Sequence, residues 1–168
     1  AFKTCQPCTT GTFKTGANTQ PMCQMCTVGK FQDEKGSALC KTCADGSSTN
    51  TRVGAFACES CPPGFHLGAE AVDKSICEHC RGGYFEDEAG KSECEDVCPA
   101  GKYILPGPHT SINQCKSCRI GHYEDEIGQS ECKDPCPEGK YHDVVGVRTS
   151  PSDCKLCDTS CDVGEQML

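Results

Sequence analysis

The cysteines of this chain are the residues whose number and spacing could do chemistry. There are 19 among 168 residues, and 18 of them form nine pairs. Seven pairs have the spacing C-x2-C, and two, Cys94/Cys98 and Cys132/Cys136, have C-x3-C. Close thiol pairs are typical of zinc sites, of thioredoxin-like redox motifs and of disulfide frameworks. The surroundings of the pairs must therefore decide which chemistry applies.

A disulfide framework explains the pairs better than metal or redox chemistry. Zinc modules rarely repeat nine pairs at near-constant spacing, and a redox pair needs a helix start in a βαβ setting, whereas this chain has no helical periodicity. A cysteine content this high is typical of disulfide scaffolds in oxidising compartments. A zinc-binding intracellular module, which would require reduced thiols, is the weaker alternative.

Acidic side chains form the second candidate for chemistry. Three segments contain an Asp-Glu pair, preceded in two of them by Glu86 or Glu124. Carboxylates are ligands of calcium, which makes these pairs weak calcium candidates, although calcium usually needs six or more converging oxygens and solvated turns are the simpler interpretation. The candidates are Asp33, Glu34, Asp87, Glu88, Asp125 and Glu126.

No other residues have the spacing of a reactive site. The five histidines occupy different positions relative to the cysteine pairs, and no Ser/His/Asp grouping recurs. A string of small hairpins also does not provide the rigid concave pocket that catalysis needs. We therefore predict no catalytic residue, no metal centre and no cofactor.

A tandem repeat positions all of these residues. Glycine follows the second cysteine of each of the first eight pairs by three residues, and an aromatic residue lies two residues further in six of the eight units. The unit that begins at Cys43 is degenerate, with Ser48 at the aromatic position, and the next unit has Phe65 one position early. The predicted repeats are 5–23, 26–40, 43–58, 61–77, 80–94, 98–115, 118–132 and 136–154, numbered 1 to 8, and 157–168 begins a truncated further repeat.

Each repeat predicts a small β-hairpin. The segment Asp-Glu-x-Gly fits a type I turn that ends with a glycine in the left-handed region. One hairpin is marginal in water, and a chain with 36% hydrophobic residues and no Trp buries too little apolar surface to offset its ordering entropy. The predicted fold is a small disulfide-rich one: an elongated tandem array of short β-hairpin repeats with no common hydrophobic core.

The repeat also resembles a known family. The pattern C-x-x-G-x-[FY]-x-D-E-x-G-x-S-x-C, followed by C-P-x-G-K-Y from Cys98 and from Cys136, resembles the ephrin-receptor-like cysteine-rich repeat, which is similar in style to the cysteine-rich domains of tumour-necrosis-factor receptors. The resemblance extends from Cys8 to Cys154, with departures at Ser48, at Phe65 and at Ala38. It implies an extracellular, elongated, non-catalytic array of the kind found in receptors and adhesion proteins.

Sequence leaves the pairing of the cysteines open between two schemes. An interleaved scheme would pair, for example, Cys94 with Cys115 and Cys98 with Cys118. A loop-closing scheme joins the second cysteine of each pair to the first of the next, and each loop of about 15 residues would then contribute roughly 3 kcal/mol on the chain-entropy model. We favour loop closure: Cys8–Cys23, Cys26–Cys40, Cys43–Cys58, Cys61–Cys77, Cys80–Cys94, Cys98–Cys115, Cys118–Cys132 and Cys136–Cys154.

The loop-closing scheme leaves Cys5, Cys157 and Cys161 over. We expect partners for such cysteines to lie outside the segment, so the chain is interpreted as part of a longer array.

Charge and composition limit the function. The net charge of −8 argues against nucleic-acid binding and against an anionic membrane surface, and no apolar run is long enough to span a bilayer. We predict an extracellular or cell-surface, non-catalytic structural or adhesive spacer in a larger surface or filament protein. Its partners would be other copies of itself or other extracellular chains. The alternative is a ligand-binding segment of a receptor ectodomain, with the exposed apolar site at residues 103–109.

Overall fold

A computed structural model of the chain describes residues 5–16, 22–71, 73–132, 134–141 and 146–156. Within these ranges the regular structure consists of two-residue β-strands and two short 3-10 turns. The strands are β1 Thr12–Phe13, β2 Gln24–Met25, β3 Lys30–Phe31, β4 Lys41–Thr42, β5 Ser47–Ser48, β6 Glu59–Ser60, β7 Phe65–His66, β8 Glu78–His79, β9 Tyr84–Phe85, β10 Asp96–Val97, β11 Lys102–Tyr103, β12 Lys116–Ser117, β13 His122–Tyr123, β14 Asp134–Pro135, β15 Lys140–Tyr141 and β16 Lys155–Leu156.

Consecutive strands pair into eight antiparallel hairpins. The first strand of each hairpin follows the glycine that lies three residues after a cysteine pair, which we call the repeat glycine. The second strand lies between the two cysteines of the next pair. In the first hairpin, for example, Thr12 is opposite Met25 and Phe13 is opposite Gln24. The spacing C-x2-C leaves two residues between its cysteines, which is the length of the second strand.

A disulfide closes each loop between one cysteine pair and the next. The Cα–Cα distances are 5.7 or 5.8 Å, within the usual range for disulfides. The pairs are Cys8–Cys23, Cys26–Cys40, Cys43–Cys58, Cys61–Cys77, Cys80–Cys94, Cys98–Cys115, Cys118–Cys132 and Cys136–Cys154. The prediction of a small disulfide-rich tandem array of β-hairpins is confirmed. Cys5 has a free, exposed thiol, whereas Cys157 and Cys161 and the predicted truncated repeat at 157–168 lie outside the described residues.

Cystine sulfur supplies much of the buried apolar material. The buried cysteine is usually the second of its pair, as with Cys26, Cys61 and Cys80, whose side chains are fully enclosed. Few large apolar side chains are buried with them, notably Leu67, Phe85 and Ile104. The disulfides therefore take much of the place that aliphatic side chains hold in an ordinary core.

The two longest loops each contain a 3-10 turn. These turns, Ile112–Gln114 and Pro151–Asp153, lie directly before the closing cysteines of loops that span 17 and 18 residues. Ser111 and Ser150 cap them by accepting backbone N–H groups, as in a capping box. The extra residues of the longer loops are thus accommodated in one compact turn.

The chain divides into two compact units. The first contains Ala1–Cys80, Glu86–Glu95 and Pro108–Thr110, and the second contains Arg81–Phe85, Asp96–Gly107 and Ser111–Leu168. The described part of the chain contains no helix with the length and hydropathy needed to cross a membrane.

Candidate functional site: the junctions between repeats

Successive repeats are joined by backbone hydrogen bonds that recur along the chain. The residue after the aromatic position donates its N–H to a carbonyl in the turn of the next repeat. The bonds are Lys14 to Ser37, Gln32 to Ala55, Thr49 to Lys74, Leu67 to Lys91, Glu86 to His109, Ile104 to Gln129 and Glu124 to Arg148, with N···O distances of 3.0 to 3.2 Å. Each junction between neighbouring repeats therefore has one bond of this type.

The repeat glycine adds a second bond to most junctions. Its N–H donates to the carbonyl oxygen of the residue that follows the aromatic position in the next repeat. Examples are the bonds from Gly83 to Ile104 at 2.8 Å and from Gly101 to Glu124 at 2.7 Å. In the degenerate repeat 3 a side chain replaces this carbonyl, because the N–H of Gly29 donates to Oγ1 of the buried Thr49 at 2.8 Å. The junction thus survives where the repeat pattern fails.

A third bond runs in the opposite direction along the chain. The turn glycine of one repeat donates its N–H to the carbonyl of the cysteine that opens the disulfide loop of the preceding repeat, which is the second cysteine of its pair. The bonds are Gly36 to Cys8, Gly54 to Cys26, Gly90 to Cys61 and Gly128 to Cys98, all with N···O distances of 2.7 or 2.8 Å. These turn glycines are the ones that close the predicted Asp-Glu-x-Gly turns, except Gly54, which occupies the corresponding place in repeat 3.

The repeat glycine is required for two reasons. All eight glycines three residues after a pair have φ between 71° and 88°, the left-handed region that side chains disfavour. In addition, a Cβ on Gly11, Gly46 or Gly83 would overlap a backbone carbonyl of the repeat two positions further along. Glycine therefore permits contact between repeats that are not neighbours in sequence. The sequence shows a glycine at this position in every unit, but it predicts a left-handed backbone only for the glycines of the Asp-Glu-x-Gly segments and gives no signal for the contact between repeats.

A buried polar side chain organises each acidic turn. Glu86 and Glu124 are only 2% and 1% exposed, and each accepts the backbone N–H of the residue two positions later, at 3.1 and 3.2 Å. Gln32 occupies the same place in repeat 2 and accepts from the N–H of Glu34 at 2.9 Å. The sequence gives no signal for this role, because Glu86 and Glu124 directly precede Asp-Glu pairs and fit a solvated acidic run.

Cations within the repeats neutralise some of the calcium candidates. Lys41 Nζ lies 2.7 Å from Asp33 and 3.5 Å from Glu34, and Lys91 lies 3.2 Å from Glu88. Glu126 accepts from the side-chain amide of Gln129 at 2.9 Å. These partners are ordinary surface contacts, and calcium binding by Asp33, Glu34, Asp87, Glu88, Asp125 and Glu126 stays a prediction.

The Lys41–Asp33 contact shifts the pKa values of both groups. The side-chain hydrogen bond from Lys41 lowers the pKa of Asp33 below its ordinary value, and the same bond raises the pKa of Lys41. Hydrogen bonds from Lys91 to Glu88 and Glu95 likewise raise the pKa of that lysine. Asp33, Lys41 and Lys91 therefore favour their charged forms.

The degenerate repeat 3 carries the most unusual surface. Its closed loop is one residue longer than that of repeat 2, and Asn50 and Thr51 have φ of 51° and 62°. A positive φ at a β-branched residue is uncommon and costs free energy. Beside these residues Val53 and Phe56 are 58% and 66% exposed. Backbone strain and exposed apolar area therefore coincide on one hairpin.

Two grooves flank this surface. One, with a volume of about 300 Å³, is lined by residues 52–57 and Glu59, and the other, of about 410 Å³, includes Asn50, Ile76 and the same Glu59. Arg52 and Glu59 form an exposed ion pair with an N···O distance of 2.7 Å. We refer to residues 50–59 as the repeat 3 surface.

The segment 103–109 is only partly exposed. Ile104 is buried and packs in a cluster with Phe85, Cys98 and Cys115, whereas Leu105 is exposed. Ile104 is buried because it occupies the position directly after the aromatic residue. The side chain at that position is buried in each of repeats 2 to 7. The exposed apolar residues of repeat 3 are the better match to the feature that a ligand-binding segment would need.

Comparison with known families supports the resemblance seen in the repeat. Residues 108–158 match the family model described as tyrosine-protein kinase ephrin type A/B receptor-like. This segment of the chain contains ephrin-receptor-like cysteine-rich repeats. The matched segment includes the ephrin-receptor-like loops closed by Cys118–Cys132 and Cys136–Cys154. The comparison with curated proteins returned no match. Eight disulfides together with this ephrin-receptor-like match point to an extracellular cysteine-rich domain of a non-catalytic type.

Proposed function

We propose that the chain is a non-catalytic structural or adhesive spacer within a larger surface or filament protein outside the cell. The observation that supports this role is the recurring set of backbone hydrogen bonds at the junctions between repeats. Repeat proteins gain stability from such nearest-neighbour contacts, so length can be added without a larger core. A spacer needs little more than this property.

The disulfides add resistance to extension. Each disulfide joins the two ends of a loop that spans 14 to 18 residues, and the Cα–Cα distance between those ends is at most 5.8 Å. At roughly 3.5 Å per extended residue, the path from Cys8 to Cys154 is about 130 Å with the bridges intact and about 500 Å after reduction. Tension therefore cannot pull out the loops unless covalent bonds break.

Single-molecule pulling tests the spacer role. We would attach handles to both ends of the full chain and record force against extension before and after reduction. We expect the oxidised path between Cys8 and Cys154 to stop lengthening near 130 Å, while the reduced chain continues to several times that length. An oxidised chain that lengthens far beyond this limit would contradict the proposal.

Other copies of the chain are the partners that an adhesive or filament role requires. Cross-linking with a lysine-reactive reagent followed by peptide mapping distinguishes assembly with other copies of the chain from binding to a different extracellular protein. Contacts between copies at several repeats would support a filament-type role. Cross-links to a different extracellular protein, confined to one or two repeats, would instead favour a receptor.

A ligand-binding receptor segment is the second candidate, and the repeat 3 surface favours it. Backbone strain clusters at functional sites, and exposed apolar patches mark interaction sites. Asn50 and Thr51 have strained backbone beside exposed Val53 and Phe56. The variant Phe56→Ser, which restores the residue type found at Ser92 and Ser130, tests it. Reduced retention of an extracellular partner with unchanged thermal stability would support binding through this surface, whereas unchanged retention would exclude it.

A further inference from the structure

The hairpin of repeat 4 carries a shallow groove lined by apolar, acidic and imidazole side chains. Its volume is about 350 Å³, and it is lined by His66, Leu67, Gly68, Glu70, Ala71 and Glu78. His66 and Glu78 are directly opposite one another on strands β7 and β8. Opposed residues in an antiparallel pair have Cβ atoms about 5 Å apart, so this imidazole and this carboxylate share one side of the hairpin.

The next repeat orients the imidazole of His66. Its Nδ1 lies 3.2 Å from the carbonyl oxygen of Ser92. Because a carbonyl oxygen can only accept, Nδ1 carries the proton of this hydrogen bond, and Nε2 of the neutral ring is an acceptor. The groove therefore presents acceptors: one ring nitrogen and the carboxylates of Glu70 and Glu78.

The negative charge of this groove is not neutralised by nearby lysine. In repeats 2 and 5, Lys41 and Lys91 contact the acidic residues of their own turns. Among the described residues, neither Glu70 nor Glu78 has an ion-pair partner. The two carboxylates are thus available to a cation from outside the chain.

The one lysine of repeat 4 is engaged elsewhere. The side chain of Lys74 is only 8% exposed, and its Nζ lies 2.7 Å from Asp45 of repeat 3. The same Nζ donates to the carbonyl oxygen of Gly68, which lines the groove. Lys74 therefore holds the groove in shape instead of filling it.

We infer that this groove binds an arginine side chain of a basic protein partner. A guanidinium group has five donors in a plane and suits several carboxylate and imidazole acceptors, while its aliphatic stem can pack on Gly68 and Ala71. The net charge of −8 disfavours sulfated glycans and nucleic acids as the partner. Within the described residues, the acceptors of His66, Glu70 and Glu78 do not converge to within 4.8 Å, as a metal ion would require.

Nuclear magnetic resonance titration of the full oxidised chain tests this inference. The probe is the blocked peptide acetyl-Gly-Arg-Gly-amide, and the matched control replaces arginine with citrulline, which has a similar shape without the charge. We expect saturable shifts of the His66 ring and the Gly68 amide with arginine only. Glu78→Gln should weaken the interaction roughly twofold to fivefold, as expected for one exposed ion pair.

The control variant is Glu138→Gln, which removes the same charge from an exposed position in repeat 8. We expect it to bind the arginine peptide as the unaltered chain does. Equal weakening by Glu138→Gln, equal shifts with citrulline, or saturation of the His66 ring by zinc chloride without any response to arginine would each overturn the inference. This binding role is additional to the spacer role, and its failure would leave the extension limit under force unchanged.

Discussion

At the scale of single residues, the array depends on positions where a side chain is either excluded or enclosed. The repeat glycines exclude a side chain because the backbone is left-handed there and because another repeat lies close by in several cases. In repeats 2 to 7 the residue after the aromatic position is enclosed, whether it is apolar as Leu67 or polar as Glu86. Ion pairs act mostly within single repeats, and the contact of Lys74 with Asp45 is one that joins two repeats.

Two glycines separate the effects of backbone conformation and close contact. Gly83 and Gly121 have φ of 88° and 83°, but a Cβ on Gly83 would overlap the carbonyl of Gly128, whereas a Cβ on Gly121 meets no described atom within 4 Å. We expect Gly121→Ala to cost about 1 kcal/mol and Gly83→Ala about 3 kcal/mol or more, because the latter also displaces the neighbouring backbone. Thermal unfolding with the disulfides intact measures both; equal losses would show that the contact is unimportant.

The ion pair in repeat 2 predicts a pH effect with a definite sign. The hydrogen bond from Lys41 lowers the pKa of Asp33 below its ordinary value of 3.8, so its contribution to stability is present above that pH and is lost as the pH falls through the folded-state value. Lys41→Met should raise the pKa of Asp33 towards 3.8 in a carboxyl titration by nuclear magnetic resonance. Lys35→Met, in the same turn, is the control and should leave the pKa of Asp33 lowered.

At the scale of elements, each hairpin is too short to stabilise itself. Two residues per strand give few backbone bonds, and an isolated hairpin is marginal in water. The disulfide closes the loop, and the junction bonds to the next repeat complete the unit. The buried side chain before each Asp-Glu pair completes the turn from within.

Replacement of Glu86 distinguishes hydrogen bonding from charge. Glutamine fills the same position in repeat 2 and accepts the equivalent backbone N–H, so we expect Glu86→Gln to be nearly neutral. Glu86→Ala should cost about 1 to 3 kcal/mol, because the N–H of Glu88 loses its acceptor in a part-buried site. Hydrogen exchange at the Glu88 amide measures the local effect. Equal loss of protection in both variants would show that the charge of Glu86 is what matters.

At the scale of the whole molecule, stability is distributed along the chain. Eight loops closed by disulfides each restrict the unfolded chain, by roughly 3 kcal/mol per loop on the chain-entropy model. With few large apolar side chains buried, unfolding after reduction should be extensive.

Peptide mapping of the oxidised chain tests the covalent framework. We expect Cys98 to be linked to Cys115 and Cys118 to Cys132, as the structure has them. Linked peptides that join Cys94 to Cys115 and Cys98 to Cys118 would demonstrate the interleaved scheme and would contradict the extension limit proposed above. Reduction before digestion, which should abolish every linked peptide, is the control.

The sequence by itself determined the class of the fold, because the features that specify it are local. Cysteine spacing, the glycine after each pair and the aromatic residue two positions later all act within about 20 residues, so they can be read along the chain. They predict hairpins, turns with left-handed glycines and a disulfide scaffold. They also predict the ephrin-receptor-like resemblance, which rests on the same spacing.

Tertiary structure decided everything that depends on contact between repeats. Three contacts show this. The side chain of Thr49 takes the place of a carbonyl acceptor, and Gly46 lies close to the turn of the repeat two positions further along. Lys74 bonds to Asp45 instead of to the acidic residues of its own repeat. The physical reason is that a junction pairs groups 20 or more residues apart, and their contact depends on the orientation of each hairpin relative to the next. No local pattern encodes that orientation. The burial of Glu86 and the lack of an ion-pair partner for Glu70 and Glu78 among the described residues are therefore seen only in the tertiary structure.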